Sequence, residues 1–375
     1  MLIKAAMLRE MGLPHPYAHS RPLDIVEVEL DPPGPGEVRV AIKAAGLCHS
    51  DLSVIDGSRP RPMPMVLGHE AAGVVEAAGP GVADLAPGDH VVLVFMPSCG
   101  HCMPCATGRP ALCEPGARAN GAGTLLRGER RLSFTCEPVS HHVGVSAFAS
   151  HAVVSQESCV KVSRDLPLEQ AALFGCAVLT GMGAVVNTAR IPTGSSVGVV
   201  GLGGVGLSAL LGAAVAGARQ IVAIDLSREK LDFALALGAT HAVQAGRPET
   251  LQEIRDLSGG GLDYVFEMAG SVPALELAYA ATGRGGTTVT AGLPHPDRKL
   301  AIQAVSLVAE ERTLKGSYIG SCVPRRDLPH YVDLFRGGRL PVDRLLTHRL
   351  RLLEINEGFD RLHEGIGVRQ VVLFD

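Results

Sequence analysis

Little of this 375-residue chain is charged, and neither sign prevails: Asp, Glu, Lys and Arg make up 19%, with a formal net charge of −4 at pH 7. That leaves no basic footprint for a phosphate backbone, so a nucleic-acid partner is not expected. Residues Met1 to Glu10 lack the apolar stretch and small-residue cleavage site of a secretion signal. The expected localisation is therefore cytoplasmic. Solenoid-type repeats and low-complexity linkers are also missing. An apolar content of 46% argues against disorder. The length suits two domains at roughly 100–200 residues each. One uncharged run, 191–218, is long enough to cross a bilayer of about 30 Å. It holds Pro192, Gly194 and a string of glycines, however, and reads better as buried strand, turn and helix. No membrane association is expected.

Cysteine is where the chain is rich. Cys99, Cys102, Cys105 and Cys113 crowd into Cys-Gly-His-Cys-Met-Pro-Cys-Ala-Thr-Gly-Arg-Pro-Ala-Leu-Cys, with Gly and Pro at the bends. A structural zinc wants four soft ligands in a tetrahedron, and thiolates on a tight loop supply them. Two disulfides are the alternative, which a reducing compartment disfavours. Such a lobe, residues 97–115, ties a loop together and does no chemistry. The reaction must lie elsewhere.

The first half is β-rich. Glu37–Ile42 alternates apolar and charged residues behind Pro-Pro-Gly-Pro-Gly, and Ala71–Glu76 and His90–Phe95 are further strands between Gly/Pro turns. Beyond about Leu179 strands alternate with helices. Ser196–Val200, Gln220–Asp225, Leu262–Glu267 and Gly286–Gly292 are the strands, and Ser227–Leu237 and Pro273–Thr282 are helices. Alternation of this kind predicts an α/β fold with a doubly wound parallel sheet. After Gly320 the rhythm is lost and the tail is expected to rejoin the first domain.

Gly201-Leu202-Gly203-Gly204-Val205-Gly206 follows a strand and opens a helix. Gly201 permits the tight turn, Gly203 admits a pyrophosphate, and Gly206 lets helix pack on strand. The helix N-terminus offers free N–H groups and a favourable dipole to the phosphates. The second strand ends at Asp225, about twenty residues on, where a carboxylate accepts ribose hydroxyls and disfavours a 2′-phosphate. NAD is thus expected over NADP.

Three further segments carry metal-ligand chemistry: Gly-Leu-Cys48-His49-Ser50-Asp51, Gly-His69-Glu70 and Phe-Gly-Cys176-Ala. Cys48, His69 and Cys176 make a two-sulfur, one-nitrogen zinc with one position free for substrate oxygen, the ligand set catalogued for catalytic zinc in alcohol dehydrogenase. Each residue alone reads more readily as buried packing.

With these motifs in this order, the chain resembles the zinc-dependent alcohol dehydrogenases of the medium-chain dehydrogenase/reductase family, nearly end to end up to Val368-Arg369-Gln370. The resemblance implies a GroES-like catalytic domain at 1–177, a Rossmann NAD-binding domain at 178–320 and a return to the catalytic domain at 321–375. It places the active site in the cleft between them and pairs chains as a homodimer through residues 286–320. It implies two Zn2+ per chain, one catalytic and one structural. Asp51 would orient His69, Glu70 would act as a transient ligand, and Ser50 would take the alcohol proton. Lys230 joins Asp225 at the adenosine ribose, His49 and Arg369 meet the pyrophosphate, and Thr180 and Val205 press on the nicotinamide. Phe95, His142, Val143 and Tyr318 would line the substrate pocket, with Leu293 shared between pocket and cofactor.

Two departures stand against the family pattern. Ser53 occupies the position of a proton-relaying histidine, and Ala117 that of an arginine used by the glutathione-dependent formaldehyde branch, with Arg118 beside it. The implied function is reversible oxidation of a primary or secondary alcohol to an aldehyde or ketone. A polyol or thiol-adduct dehydrogenase would show the same residues. A non-catalytic NAD-binding protein would be expected to have lost a ligand, Ser50 or Asp51. Cys136, Cys159 and Cys322 have no spacing partner, and adjacent His141 and His142 would point to opposite faces of a strand.

Overall fold

Apolar–charged alternation after residue 36 becomes a ten-residue strand, Glu37–Gly46, whose inward side chains Val38, Val40 and Ile42 are buried. It is the hub of a seven-stranded sheet, pairing with Glu70–Ala78, His151–Ser155 and the C-terminal strand Arg369–Leu373. Because each strand puts successive side chains on opposite faces, one face of this sheet meets the core around Phe148 and Phe359. Five short strands close a small barrel: Leu2–Leu8, Leu23–Leu30, Leu132–Phe134, Glu137–His141 and Met65–Val66.

The computed structural model describes all 375 residues, which divide into two units. The first comprises Met1–Cys176, Val323–His330 and Asp343–Asp375, and the second Ala177–Cys322 and Tyr331–Val342. The C-terminal tail thus contributes strand Arg369–Leu373 to the first unit, while Tyr331–Val342 belongs to the second.

The second unit holds a six-stranded, all-parallel sheet. Its order is His241–Gln244, Gln220–Asp225, Ser196–Val200, Leu262–Glu267, Thr282–Thr290 and Thr313–Gly316. In chain order that is 3-2-1-4-5-6, the dinucleotide-binding arrangement, with its topological switch beside Ser196–Val200. The first strand is buried throughout, as parallel strands covered on both faces must be. Helix Gly204–Val215 follows it, and helix Arg228–Ala236 starts where the Ser227 hydroxyl accepts from the Lys230 amide.

Two expectations shift. The fifth strand begins at Thr282, earlier than Gly286, so the preceding helix ends at Ala281. The uncharged run 191–218 is broken into turn, strand and helix, and no single helix is long and apolar enough to cross a membrane. A bent pair, Leu168–Gly175 and Ala177–Ala189, reaches that composition only together, across a 51° break.

Candidate metal centres and nucleotide cleft

Strand Glu37–Gly46 delivers Cys48 to the N-cap of the short helix His49–Ile55, which puts Asp51 in the first turn. His69 and Glu70 enter the next strand directly after Gly68. That glycine has φ +92°, and a Cβ there would lie 2.5 Å from the Phe148 amide nitrogen, so no other residue fits. Its amide donates to Asp51 Oδ1 at 3.2 Å, and His69 Nδ1 lies 3.0 Å from the same oxygen. The ring is therefore held through Nδ1 with Nε2 left for other use. Cys176 follows the turn Ala172–Gly175.

One ligand atom from each of Cys48, His69, Glu70 and Cys176 lies within 4.8 Å of all the others, and all four residues are buried. Tetrahedral zinc with sulfur at about 2.3 Å sets neighbouring ligands about 3.8 Å apart, so this donor set fits the ion. A hydrogen bond from Cys176 holds the Cys48 pKa well below its usual value, while the same bond together with burial raises that of Cys176. Burial works against charge on Asp51, but the His69 and His142 imidazoles outweigh it and hold the carboxyl below its ordinary range. Burial likewise opposes protonation of His69, and the Asp51 charge and hydrogen bond overcome it, raising the imidazole pKa.

Glu70 is ion-paired to Arg369, and both are buried. Burial nevertheless pushes the Glu70 carboxyl up to about 7 against the pull of that guanidinium. Its second oxygen, Oε1, has no partner. Arg369, expected at a pyrophosphate, is 4% exposed and faces Glu70, whereas His49 is exposed. Ser50 is half-buried one residue further on. The Ser53 hydroxyl donates to the His49 carbonyl at 2.8 Å and is occupied by its own helix.

Of the residues expected to line a pocket, Phe95 and His142 both come to His69. Their rings stand edge-on to it, at centroid distances of 5.3 and 5.5 Å and interplanar angles of 89° and 86°. Val143 is buried with φ +43°. Leu293 and Tyr318 lie at the surface of the second unit, 50% and 40% exposed. His141 accepts from the Arg131 amide at 3.0 Å, and burial drives its pKa down to about 3.

The cysteine lobe brings Cys99, Cys102, Cys105 and Cys113 together, again with all four sulfurs within 4.8 Å. Cys102 and Cys113 Sγ atoms are 3.9 Å apart, and amides of Cys99, Cys102 and Gly116 point at Sγ atoms from 3.2 to 3.4 Å. N–H donors aimed at sulfur stabilise thiolates, the form that binds metal. All nine cysteines are free thiols.

In the second unit the glycine loop is shaped as expected. Gly201 has φ +90°, a Cβ on Gly206 would strike the Gly201 carbonyl oxygen at 1.8 Å, and Gly203 at the helix N-cap faces open space. A cavity of about 240 Å³ lies alongside, lined by Gly201, Ile224, Asp225, Ala269, Ser271 and Pro273 among others. Asp225 accepts from the Leu202 amide at 2.6 Å and the Ser227 amide at 2.9 Å. Lys230 is half-buried in the following helix, Thr180 is buried, and Val205 is half-buried. Sequence reasoning missed Leu226, 70% exposed beside the cavity, and the Ala269–Pro273 wall. The signal for that wall was the strand Leu262–Glu267 running on through Met268 into Ala269-Gly270-Ser271.

Comparison with known proteins bears on the same residues. Residues 34–164 match the alcohol dehydrogenase GroES-like domain, and residues 204–337 the zinc-binding dehydrogenase domain. The chain is 37% identical over 384 residues to the S-(hydroxymethyl)glutathione dehydrogenase of Paracoccus denitrificans, covering all of both chains. It superposes with a TM-score of 0.94 on the alcohol dehydrogenase zinc-binding domain protein of Burkholderia ambifaria, at 38% identity over 100% of this chain and 99% of the other. The benzyl alcohol dehydrogenase of Acinetobacter calcoaceticus gives 0.93 at 33% identity over the whole of both chains.

Proposed function

Since this chain belongs to the zinc-dependent alcohol dehydrogenases of the medium-chain dehydrogenase/reductase family, we propose that Cys48, His69 and Cys176 hold the zinc ion at which a primary or secondary alcohol is oxidised, with NAD as hydride acceptor. The observation that carries the reading is the convergence of two sulfurs and an imidazole from three distant segments. When bound, zinc supplies Lewis acidity toward an alcohol oxygen, and NAD supplies the acceptor carbon.

The remaining work falls to side chains. Asp51 fixes the His69 tautomer so that Nε2 faces outward. Ser50 takes the alcohol proton. Because the Ser53 hydroxyl is engaged by the His49 carbonyl, the proton leaves Ser50 through water rather than along that helix. Phe95 and His142 wall the site with ring edges and keep bulk water from His69. Glu70, with one oxygen on Arg369 and the other unpartnered, stands ready to take a transient place among the ligands. His49 and Arg369 serve the pyrophosphate, Asp225 and Lys230 the ribose, and Thr180, Val205 and Leu293 the nicotinamide side.

We read the first unit as the catalytic domain and the second as the NAD-binding domain, with Cys99, Cys102, Cys105 and Cys113 holding a second, structural zinc. Chains pair as a homodimer through residues 286–320, where Val305 and Val308 are 67% and 81% exposed. The enzyme works in the cytoplasm. One similar protein is named for benzyl alcohol and another for S-(hydroxymethyl)glutathione, a hemithioacetal. Ala117, without a guanidinium for a glutathione carboxylate, favours the aromatic class here.

Turnover of benzyl alcohol, a sugar alcohol and a formaldehyde–glutathione mixture, each with NAD and with NADP, tests this. NAD-dependent oxidation fastest on benzyl alcohol supports the reading. No turnover of any alcohol with either cofactor contradicts it.

A further inference from the structure

Asp51 carries more than the one imidazole assigned to it. Its Oδ1 lies 3.0 Å from His69 Nδ1 and 3.2 Å from the Gly68 amide, and also 3.1 Å from His142 Nδ1. The three residues offer atoms within 4.8 Å of one another, and all are buried. The second carboxylate oxygen has no hydrogen bond, and His142 Nδ1, buried and close to Oδ1, meets no other polar partner and is not aligned for a full hydrogen bond. Two imidazoles set at 86° thus converge on one oxygen, one of them a proposed zinc ligand and the other not.

The backbone that carries His142 is held against its own preference. Val143 at φ +43°, Gly144 at +71° and Ser146 at +54° all lie in the left-handed region, which a β-branched residue such as Val143 avoids. The turn is pinned by the Ser146 hydroxyl, which accepts from the His142 amide at 2.9 Å and donates to the Val66 carbonyl at 2.8 Å. Backbone strain kept by such anchors gathers where geometry matters to function. What this turn achieves is to bring a second imidazole to Asp51.

We propose that His142 is a positioning residue for the zinc site, bracing the Asp51 carboxylate at the same oxygen that holds His69, so that Asp51 in turn fixes the orientation of the His69 ligand. The inference rests on the zinc reading given above. It assigns His142 the Nδ1–H tautomer, because a bare ring nitrogen 3.1 Å from a buried carboxylate oxygen would repel it. Without it the carboxylate keeps two donors on one oxygen and none on the other, and is freer to turn within its pocket. Groups behind a metal ligand typically govern metal affinity by about 10–100-fold.

The test compares His142→Phe, which keeps the ring but removes both nitrogens, with His142→Asn, whose amide nitrogen falls where Nδ1 stands. Zinc loss to EDTA is followed site by site, and cobalt(II)-substituted samples report thiolate-to-metal absorption. His142→Phe should lose the zinc at Cys48/His69/Cys176 at least ~10-fold more readily and show an altered cobalt spectrum. His142→Asn should stay within about threefold of wild type, and the cysteine lobe should keep its ion in both variants. Unchanged zinc retention and an unchanged cobalt spectrum in His142→Phe overturn the proposal. So does equal loss from both sites, which marks a general folding defect. If His142→Phe does not fold, nitrogen-15 NMR of histidine-labelled wild-type protein decides: the Nδ1–H tautomer at His142 is expected, and the Nε2–H tautomer overturns it. A wild-type chain that binds no zinc at Cys48/His69/Cys176 sinks the functional reading itself, whereas an intact site that His142→Phe leaves undisturbed sinks this inference alone.

Discussion

Cys99, Cys102, Cys105 and Cys113 lie within one short loop, whereas Cys48, His69 and Cys176 come from three segments that only the folded first unit brings together. The loop cluster has four sulfurs and backbone amides aimed at them, a complete tetrahedron close to the surface. The assembled cluster is fully buried, has three nitrogen or sulfur donors, and keeps its nearest fourth group, Glu70, tied to Arg369. A closed set of ligands is suited to holding chain, and an incomplete one to admitting substrate. The difference also shows in the outer groups: the lobe leans on backbone N–H, while His69 is governed by a carboxylate shared with His142.

The sharpest way to separate the two clusters is Cys48→Ser. It should lower alcohol-dependent NADH formation by more than about 1,000-fold, some 4 kcal/mol of barrier, while leaving the lobe's zinc in place. Steady-state kinetics and metal analysis of the same sample check this, and loss of both ions would erase the distinction. Cys102→Ser should do the reverse. Structural zinc contributes folding energy directly, so the thermal midpoint should fall by several degrees while zinc at the assembled site persists.

Asp51→Asn is expected to weaken zinc at the assembled site by about 10–100-fold with no change at the lobe, read by competition with a chelator. A smaller effect is expected from Asp225→Ala, outside both clusters. It should reduce the NAD-over-NADP preference in kcat/KM by about tenfold or more and leave both zinc ions unchanged. A metal change there would mean the two units depend on each other more than their separate folds suggest.

The lobe was legible in sequence because its ligands are local, and so was the parallel, doubly wound character of the second unit's sheet, because strand and helix alternate with little interruption; the strand order was not. Ser196–Val200, Gln220–Asp225 and Leu262–Glu267 formed as read, their apolar runs bounded by turns. The assembled cluster could not be derived from spacing: Cys176 lies far along the chain from Cys48, and only resemblance joined them. Resemblance also assigned Arg369 to a pyrophosphate without its pairing to Glu70, since no local pattern announces a partner so distant in sequence. His142 was read as pocket lining, and its approach to Asp51 depends on left-handed turns at Val143 and Ser146 that no propensity would favour. The early start of the strand at Thr282 escaped because Gly283, Arg284 and Gly285 carry no apolar alternation to mark a strand.

The central claim is that one ion sits among two sulfurs and one imidazole while another sits among four sulfurs. Zinc K-edge X-ray absorption on the purified chain addresses it directly. The account predicts two zinc ions per chain whose averaged surroundings hold about three sulfurs and one nitrogen or oxygen, and a Cys48→Ser variant with one ion among four sulfurs. A single ion among four sulfurs in the wild-type chain would contradict it.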